Sequence, residues 1–164
     1  MKRFFALGFC LLLPYFAGFC EESIPISEPK PEQTPIQPVN IKVEPLGEEL
    51  QRADLTTDSL KNILVEALSD SNIPLDENLS QPVLVLKVRS IQVGLDVATF
   101  FHLNLLEQSM LVRNRALFNA TTWSQTALLS CPPEKLKKEV IETVTVMSEN
   151  FTKEYHKALQ PTIN

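Results

Sequence analysis

The segment from Val83 to Leu128 constrains the fold most, because apolar residues alternate along much of it and it contains no proline. Side chains point in turn to opposite faces of a strand, so Leu84, Leu86 and Val88 would share one face. Gly94 indicates a turn after the first strand. The segment therefore predicts three consecutive strands, at Val83–Ile91, Val97–Val112 and Leu117–Leu128.

The second of these strands is unusually long, at 16 residues. Phe101, Leu103 and Leu105 would lie on its buried face. Strands in globular proteins seldom exceed about 10 residues, so we expect a bulge or bend near Glu107 and Gln108.

Two helices are predicted by apolar residues that recur every three or four positions. Thr56 has the residue type of an N-cap, and the apolar stripe after it predicts a helix over Thr57–Ser69. Pro132 and Pro133 suit the first turn of a longer C-terminal helix. The apolar stripe of that helix consists of Leu136, Val140, Val144, Met147, Phe151, Tyr155 and Ala158.

A short strand is also expected at Ile41–Val43, which makes the element order β-α-β-β-β-α. The predicted fold class is α+β. In this two-layer fold, a three- to four-stranded, mainly antiparallel sheet carries two helices on one face. The helix stripes and the apolar strand faces would then share one core.

The N-terminal segment Met1–Cys20 has the order of an export signal. Lys2 and Arg3 precede an apolar run, and Glu21 begins a polar stretch. The alternative is an uncleaved anchor, but a spanning helix needs about 20 apolar residues, and this run is shorter and contains Pro14. We therefore expect cleavage and a periplasmic or extracellular location.

A second alternative makes the chain a lipoprotein. Ala17–Cys20 resembles the motif in which the cysteine is lipidated, although Phe19 occupies a position that normally holds a small residue. Lipidation of Cys20, or retention of the signal, would tether the protein to a membrane.

The remaining chain divides into a tether and one domain. Residues 21–45 contain six prolines, which favour an extended tether over a helix or a central strand. Residues 46–160 are long enough for a single α+β domain with one hydrophobic core. After residue 20 the chain has 13 basic and 20 acidic residues, a net charge of −7, which argues against nucleic acid as a partner.

No catalytic or cofactor motif is recognisable in the sequence. Cys131 is the only cysteine after residue 20, so the processed chain cannot form an internal disulfide. Its thiol precedes a helix start and could act as a nucleophile, but we favour a buried structural role because no base can be placed beside it. His102 and His156 show no metal-ligand spacing. We expect no metal, no cofactor and no enzymatic activity.

The sheet face opposite the helices is the predicted interaction surface. It combines an apolar centre with basic residues, which suits a protein interface, and we expect it to bind another envelope protein. The oligomeric state stays open. The residues of this surface are Val83, Val85, Lys87, Arg89, Phe100, His102, Asn104 and Leu106.

Two other functions stay open. One is a small-ligand or lipid binder with a pocket between the sheet and the long C-terminal helix, and the other is an enzyme of unknown class. The predicted core faces are apolar, whereas catalysis needs convergent polar groups, so binding is favoured.

The element order and two short segments carry a resemblance to bacterial envelope proteins. Ala120–Ser124, with its Thr-Thr-Trp sequence, and Phe151–Tyr155 at the end of the long helix resemble uncharacterised exported bacterial proteins. Over roughly residues 41–160 the topology also resembles small Gram-negative envelope proteins, such as the lipoprotein partner of the lipopolysaccharide-assembly barrel. The resemblance implies a non-enzymatic accessory role and assigns no site residue.

The mature protein should begin at Glu21. Gly18 and Cys20 supply the small side chains that signal peptidase needs before the cut, and Phe19 departs from the lipidation motif. N-terminal sequencing of the exported protein measures this directly. A blocked N terminus with a diacylated Cys20 would instead make the chain a lipoprotein.

Overall fold

A computed structural model describes residues 36–78 and 82–159 of the chain. The predicted export signal, the lipidation candidate Cys20, residues 21–35 of the predicted tether and Pro161 lie outside the described residues. The described elements are β1 (Asn40–Val43), α1 (Glu48–Arg52), α2 (Thr57–Asp70), β2 (Val83–Val93), β3 (Asp96–Met110), β4 (Leu117–Cys131) and α3 (Leu136–Ala158).

The four strands form one open sheet in the order β1-β2-β3-β4. β1 runs parallel to β2, whereas β2, β3 and β4 form an antiparallel meander. The predicted α+β class, with a mainly antiparallel sheet, is confirmed. Because β1 lies within residues 21–45, the last part of the range assigned to the tether contributes a strand to the sheet.

The β2–β3 hairpin follows the predicted alternation. Leu84, Leu86 and Val88 are fully buried, and their partners in β3 are buried as well. The hairpin closes through Gly94 and Leu95, and Gly94 adopts a φ of 63°, which glycine accommodates without strain.

The bulge or bend predicted near Glu107 and Gln108 was assigned to the wrong strand, because the irregularity lies in β4. β3 continues unbroken to Met110, and the extra residue is Thr122 in β4. Leu105 pairs with Trp123 but Leu106 pairs with Thr121, which leaves Thr122 without a partner in β3. β3 tolerates its length because β4 pairs with it along almost all of its course.

Beyond Leu106, β3 and β4 continue without β2 as a two-stranded hairpin arm, Glu107–Ala120. The tip of this arm exposes apolar side chains, and Val112 is 95% exposed. The segment from Gln108 to Pro133 contains two arginines and no acidic residue. The other exposed apolar side chains of the arm are Met110, Leu111, Leu117 and Phe118.

α2 begins as predicted. The hydroxyl of Thr56 accepts a hydrogen bond from the Ser59 amide at 3.0 Å, and the Thr56 amide donates to the Ser59 hydroxyl at 3.1 Å. This reciprocal capping satisfies donors that would otherwise lack a partner at the helix start. The sequence analysis missed α1, because a helix of five residues with one buried side chain, Leu50, has no readable periodicity.

α3 begins three residues later than the proline pair suggests. Pro133–Lys135 forms a single turn of 3₁₀ helix, and the α-helix follows from Leu136. Of the predicted stripe, Tyr155 is half-buried and Ala158 is exposed, while the other five residues are buried. No helix in the described residues is both long and apolar enough to cross a membrane.

The core lies between one face of the sheet and the helices α2 and α3. Phe101 from β3 and Phe151 from α3 are its largest fully buried side chains. The ring of Trp123 packs edge-on against Phe151 with centroids 5.0 Å apart, and the centroid of the Tyr155 ring lies 5.5 Å from that of Phe151. Phe151 therefore joins the long helix to β4 near one end of the core.

Replacing Phe151 with alanine should destabilise the domain by about 3–5 kcal/mol, because a fully buried ring is lost and a cavity remains. The matched control is Glu142→Ala on the exposed side of the same helix, which should change the free energy of unfolding by less than about 0.5 kcal/mol. Urea denaturation followed by circular dichroism measures both. Equal small effects would mean that α3 does not pack on the sheet as described.

Candidate functional site

The eight residues predicted to form the interaction surface lie on one face of the sheet. Residues directly opposite each other in adjacent antiparallel strands project from the same face. The register places them in four cross-strand pairs: Val83 with Leu106, Val85 with Asn104, Lys87 with His102, and Arg89 with Phe100.

β1 and β4 extend this surface beyond the predicted residues. The register sets Lys42 beside Val85, and it sets Leu128 beside Phe100. The sequence analysis missed both, because the surface was derived from the two central strands alone. We call the eight predicted residues together with Lys42, Ser124, Thr126 and Leu128 the open face.

The open face carries an exposed apolar pair in the row nearest the β2–β3 turn. Phe100 is 42% exposed and its neighbour Leu128 is 78% exposed. Among the described residues, the helices pack on the opposite face of the sheet, and none lies over these two side chains. An exposed aromatic ring beside an exposed leucine is the kind of cluster that marks interaction surfaces.

The two basic residues predicted on this face are held by one carboxylate. Glu44, directly after β1, accepts from Lys87 at 3.1 Å and from Arg89 at 2.7 Å. Arg89 also donates to the backbone carbonyl of Pro45 at 3.0 Å. These contacts fix the orientation of both side chains and reduce the positive charge that they present. Lys42 forms none of the ion pairs found within the described residues.

His102 lies close to Ser124 on the open face, with its Nε2 atom 3.3 Å from the serine hydroxyl. A serine–histidine contact is one element of a nucleophilic site, which also needs a group that orients the imidazole and donors for an oxyanion. The contact between His102 and Ser124 is exposed on the surface of the sheet, and neither residue lines the aromatic-walled pocket between the sheet and α3. The pair is therefore part of the polar border of the open face.

A pocket of about 310 Å³ lies between the sheet and the C-terminal end of α3. This is the position that the sequence analysis gave for a small-ligand site, although it named no residues there. We call it the aromatic pocket. The residues that characterise its wall are Leu105, Glu107, Trp123, Phe151, Glu154 and Tyr155.

The wall of the aromatic pocket is held in place by packing and one hydrogen bond. Trp123 and Tyr155, both half-buried, flank the buried ring of Phe151. The Tyr155 hydroxyl donates to the backbone carbonyl of Gln37 at 3.2 Å, which connects α3 to the segment before β1. The pocket is thus preformed by elements of the core.

Two carboxylates border this apolar wall. Glu107 lies on β3 and is half-buried, whereas Glu154 lies on α3 and is exposed. Burial raises the pKa of Tyr155, and the negative charge of Glu107 raises it further. Within the described residues, neither glutamate forms an ion pair and no lysine or arginine lines the pocket.

Cys131 lies at the end of β4, where it is buried and free. Burial raises the pKa of its thiol, and the charges of Glu139, Asp96 and Glu134 raise it further. A raised pKa lowers the thiolate fraction, so this cysteine is a poor nucleophile at neutral pH. In the part of the chain that the structure describes, no three His, Cys, Asp or Glu residues come together as a metal site.

Comparisons with known proteins give no family assignment. No protein-family model and no curated protein matches the chain. Among solved structures, a PelC dodecamer from Paraburkholderia phytofirmans matches with a TM-score of 0.41 and 15% identity, over 68% of this chain and 83% of that one. A minor lipoprotein from Acinetobacter baumannii matches with a TM-score of 0.33 and 14% identity, over 70% of this chain and 90% of that one. Likenesses this loose do not bear on the function.

The processed protein should show a single tyrosine that ionises above the ordinary pKa of tyrosine, because Tyr15 lies in the predicted signal and Tyr155 is half-buried near Glu107. Glu107→Gln should lower the pKa of Tyr155, since the carboxylate no longer disfavours the tyrosinate. Absorbance at ~295 nm during a pH titration reports this tyrosine.

The matched control for this titration is Glu142→Gln on the exposed side of α3, which should leave the pKa of Tyr155 unchanged. Circular dichroism recorded at each pH must show that the fold persists through the titration. An unchanged pKa in Glu107→Gln would place the carboxylate too far from the tyrosine for the pocket geometry described.

Proposed function

We propose that the protein is an exported, non-enzymatic binding module of the cell envelope, which contacts another envelope protein through the open face. The observation that carries the proposal is the exposed pair Phe100 and Leu128, on a sheet face that no described residue covers. An apolar centre with a polar border is the usual anatomy of a protein interface.

The charge of the open face favours a partner with an acidic or neutral surface. Lys42, Lys87 and Arg89 lie toward the β1 edge, and Glu44 neutralises part of their charge. The chain as a whole is acidic after residue 20, so this face differs in sign from the rest of the protein. Such a local reversal of charge would help to orient an incoming partner.

The absence of an enzymatic activity is part of the proposal. The raised pKa of Cys131 disfavours a thiolate, and the contact between His102 and Ser124 lies on an open surface where water is not excluded. Catalysis depends on preorganised polar groups in a site that excludes water. The described residues offer a surface for recognition and a pocket with an apolar wall.

A second candidate function, binding of a small ligand, is favoured by the aromatic pocket. Its volume of about 310 Å³ lies at the lower end of the range for ligand sites, and apolar side chains form most of its wall. The two candidates use opposite faces of the sheet, so one protein can carry both.

Phe100→Asp and Leu128→Asp should each strongly reduce crosslinking to the envelope partner without unfolding the protein. Both side chains are exposed, so the free energy of unfolding should change by less than about 1 kcal/mol. A charge placed at the centre of an interface should reduce the crosslinked fraction roughly tenfold. Crosslinking in intact envelopes, followed by mass spectrometry, measures the loss.

The matched control is Val112→Asp, which makes the same change at an exposed apolar residue on the tip of the hairpin arm. This variant should crosslink like the wild-type protein. If the two open-face variants remain folded and keep their crosslinks, the open face is not the interface. Equal loss in the control would assign the crosslinks to the arm.

A further inference from the structure

We infer that the aromatic pocket binds an alkylammonium group, which is a protonated or quaternary amine attached to an apolar body. The inference rests on the second candidate function and names its class of ligand. Two features of the pocket carry it: an apolar, aromatic wall and two carboxylates that lack a basic partner among the described residues.

The aromatic wall selects for a cation with an apolar body. Trp123 and Tyr155 are half-buried, so each ring keeps an accessible part in the pocket. Tryptophan and tyrosine rings attract cations that lie over their faces, and tryptophan does so most strongly. Leu105 and Phe151 are buried beneath them and offer an apolar floor for the rest of the ligand.

The two carboxylates set the sign of the ligand charge. Glu107 approaches from β3 and Glu154 from α3, so negative charge borders the pocket on two different elements. Burial is the main reason that the pKa of Tyr155 is raised, and the charge of Glu107, which lines the same pocket, raises it further. An anion would be repelled there, and a neutral apolar ligand would leave both carboxylates without a counter-charge.

Glu107 also occupies an unusual place on its strand. It continues the alternating face of Leu103 and Leu105, which points toward the core, and it is the only charged residue of β3 on that face. A half-buried carboxylate beside apolar side chains is stabilised when a cation accompanies it. A ligand ammonium group would supply that cation.

The test compares three probes with the same branched carbon skeleton: 3,3-dimethylbutylamine, 3,3-dimethyl-1-butanol and 3,3-dimethylbutanoate. Trp123 is the only tryptophan of the chain and lines the pocket, so its fluorescence reports binding to the processed protein directly. The amine should bind at least about tenfold more tightly than the alcohol, and the carboxylate should bind more weakly than either. Added salt should weaken binding of the amine alone.

Variants distinguish the contribution of the two carboxylates to binding from that of the apolar cavity. Glu107→Gln combined with Glu154→Gln should lower the affinity for the amine toward that for the alcohol and leave the affinity for the alcohol unchanged. Glu142→Gln, on the exposed side of α3, should bind all three probes like the wild-type protein. Circular dichroism and thermal unfolding verify that the double variant is folded.

The outcomes are distinguishable. Equal affinities for amine and alcohol, or an unchanged amine affinity in the double glutamine variant, would overturn the inference while leaving a small-ligand pocket. No fluorescence response and no thermal stabilisation with any probe would overturn the second candidate function as well. Vesicles that contain phosphatidylethanolamine identify the source of the amine. A response that excess 3,3-dimethylbutylamine abolishes assigns a lipid headgroup, and a response to the soluble amine alone assigns a free ligand.

Discussion

Burial of one face of the sheet beneath α2 and α3 is the constraint on which the rest of this structure depends. Cys131 is the only cysteine among the described residues and it is free, so the free energy of folding must come from this apolar layer. Phe101 from β3 and Phe151 from α3 are the two largest side chains buried in it. Because both packed helices lie on the same face, the opposite face is left to solvent or to a partner.

The same packing determines where a pocket can form. The residues of the apolar stripe become more exposed toward the C-terminal end of α3. Phe151 is buried, Tyr155 is half-buried and Ala158 is exposed. As the helix runs past the sheet, the core opens, and Trp123 and Tyr155 form its margin. The aromatic pocket is therefore the solvent-exposed end of the core. Glu107 and Glu154 occupy positions there that would be apolar if the core were closed.

Periodicity predicted most of the fold, because burial on one face imposes alternation on strands and a three- to four-residue spacing on helices. The Thr56 cap, the stripes of α2 and α3, and the shared face of Val83, Val85, Phe100 and His102 were all readable in this way. The parallel pairing of β1, the short helix α1 and the position of the bulge at Thr122 were not, because each depends on contacts between distant segments. For the pocket, one signal was present in the sequence: Glu107 is the only charged residue on the core-facing side of β3.

The parallel alignment of β1 with β2 has a consequence for the order of folding. Antiparallel strands can pair through a tight turn, as β2 and β3 do, but β1 reaches β2 only through a crossover that contains α1 and α2. Loop closure over such a distance is slow and entropically costly. The contacts that offset this entropy loss form only when the core is complete. α3 supplies much of that core and is the last helix of the described chain. Although β1 precedes the other described strands in the chain, it should be among the last to pair with the sheet. In a chain truncated before α3, the pairing of β1 with β2 would not be stable.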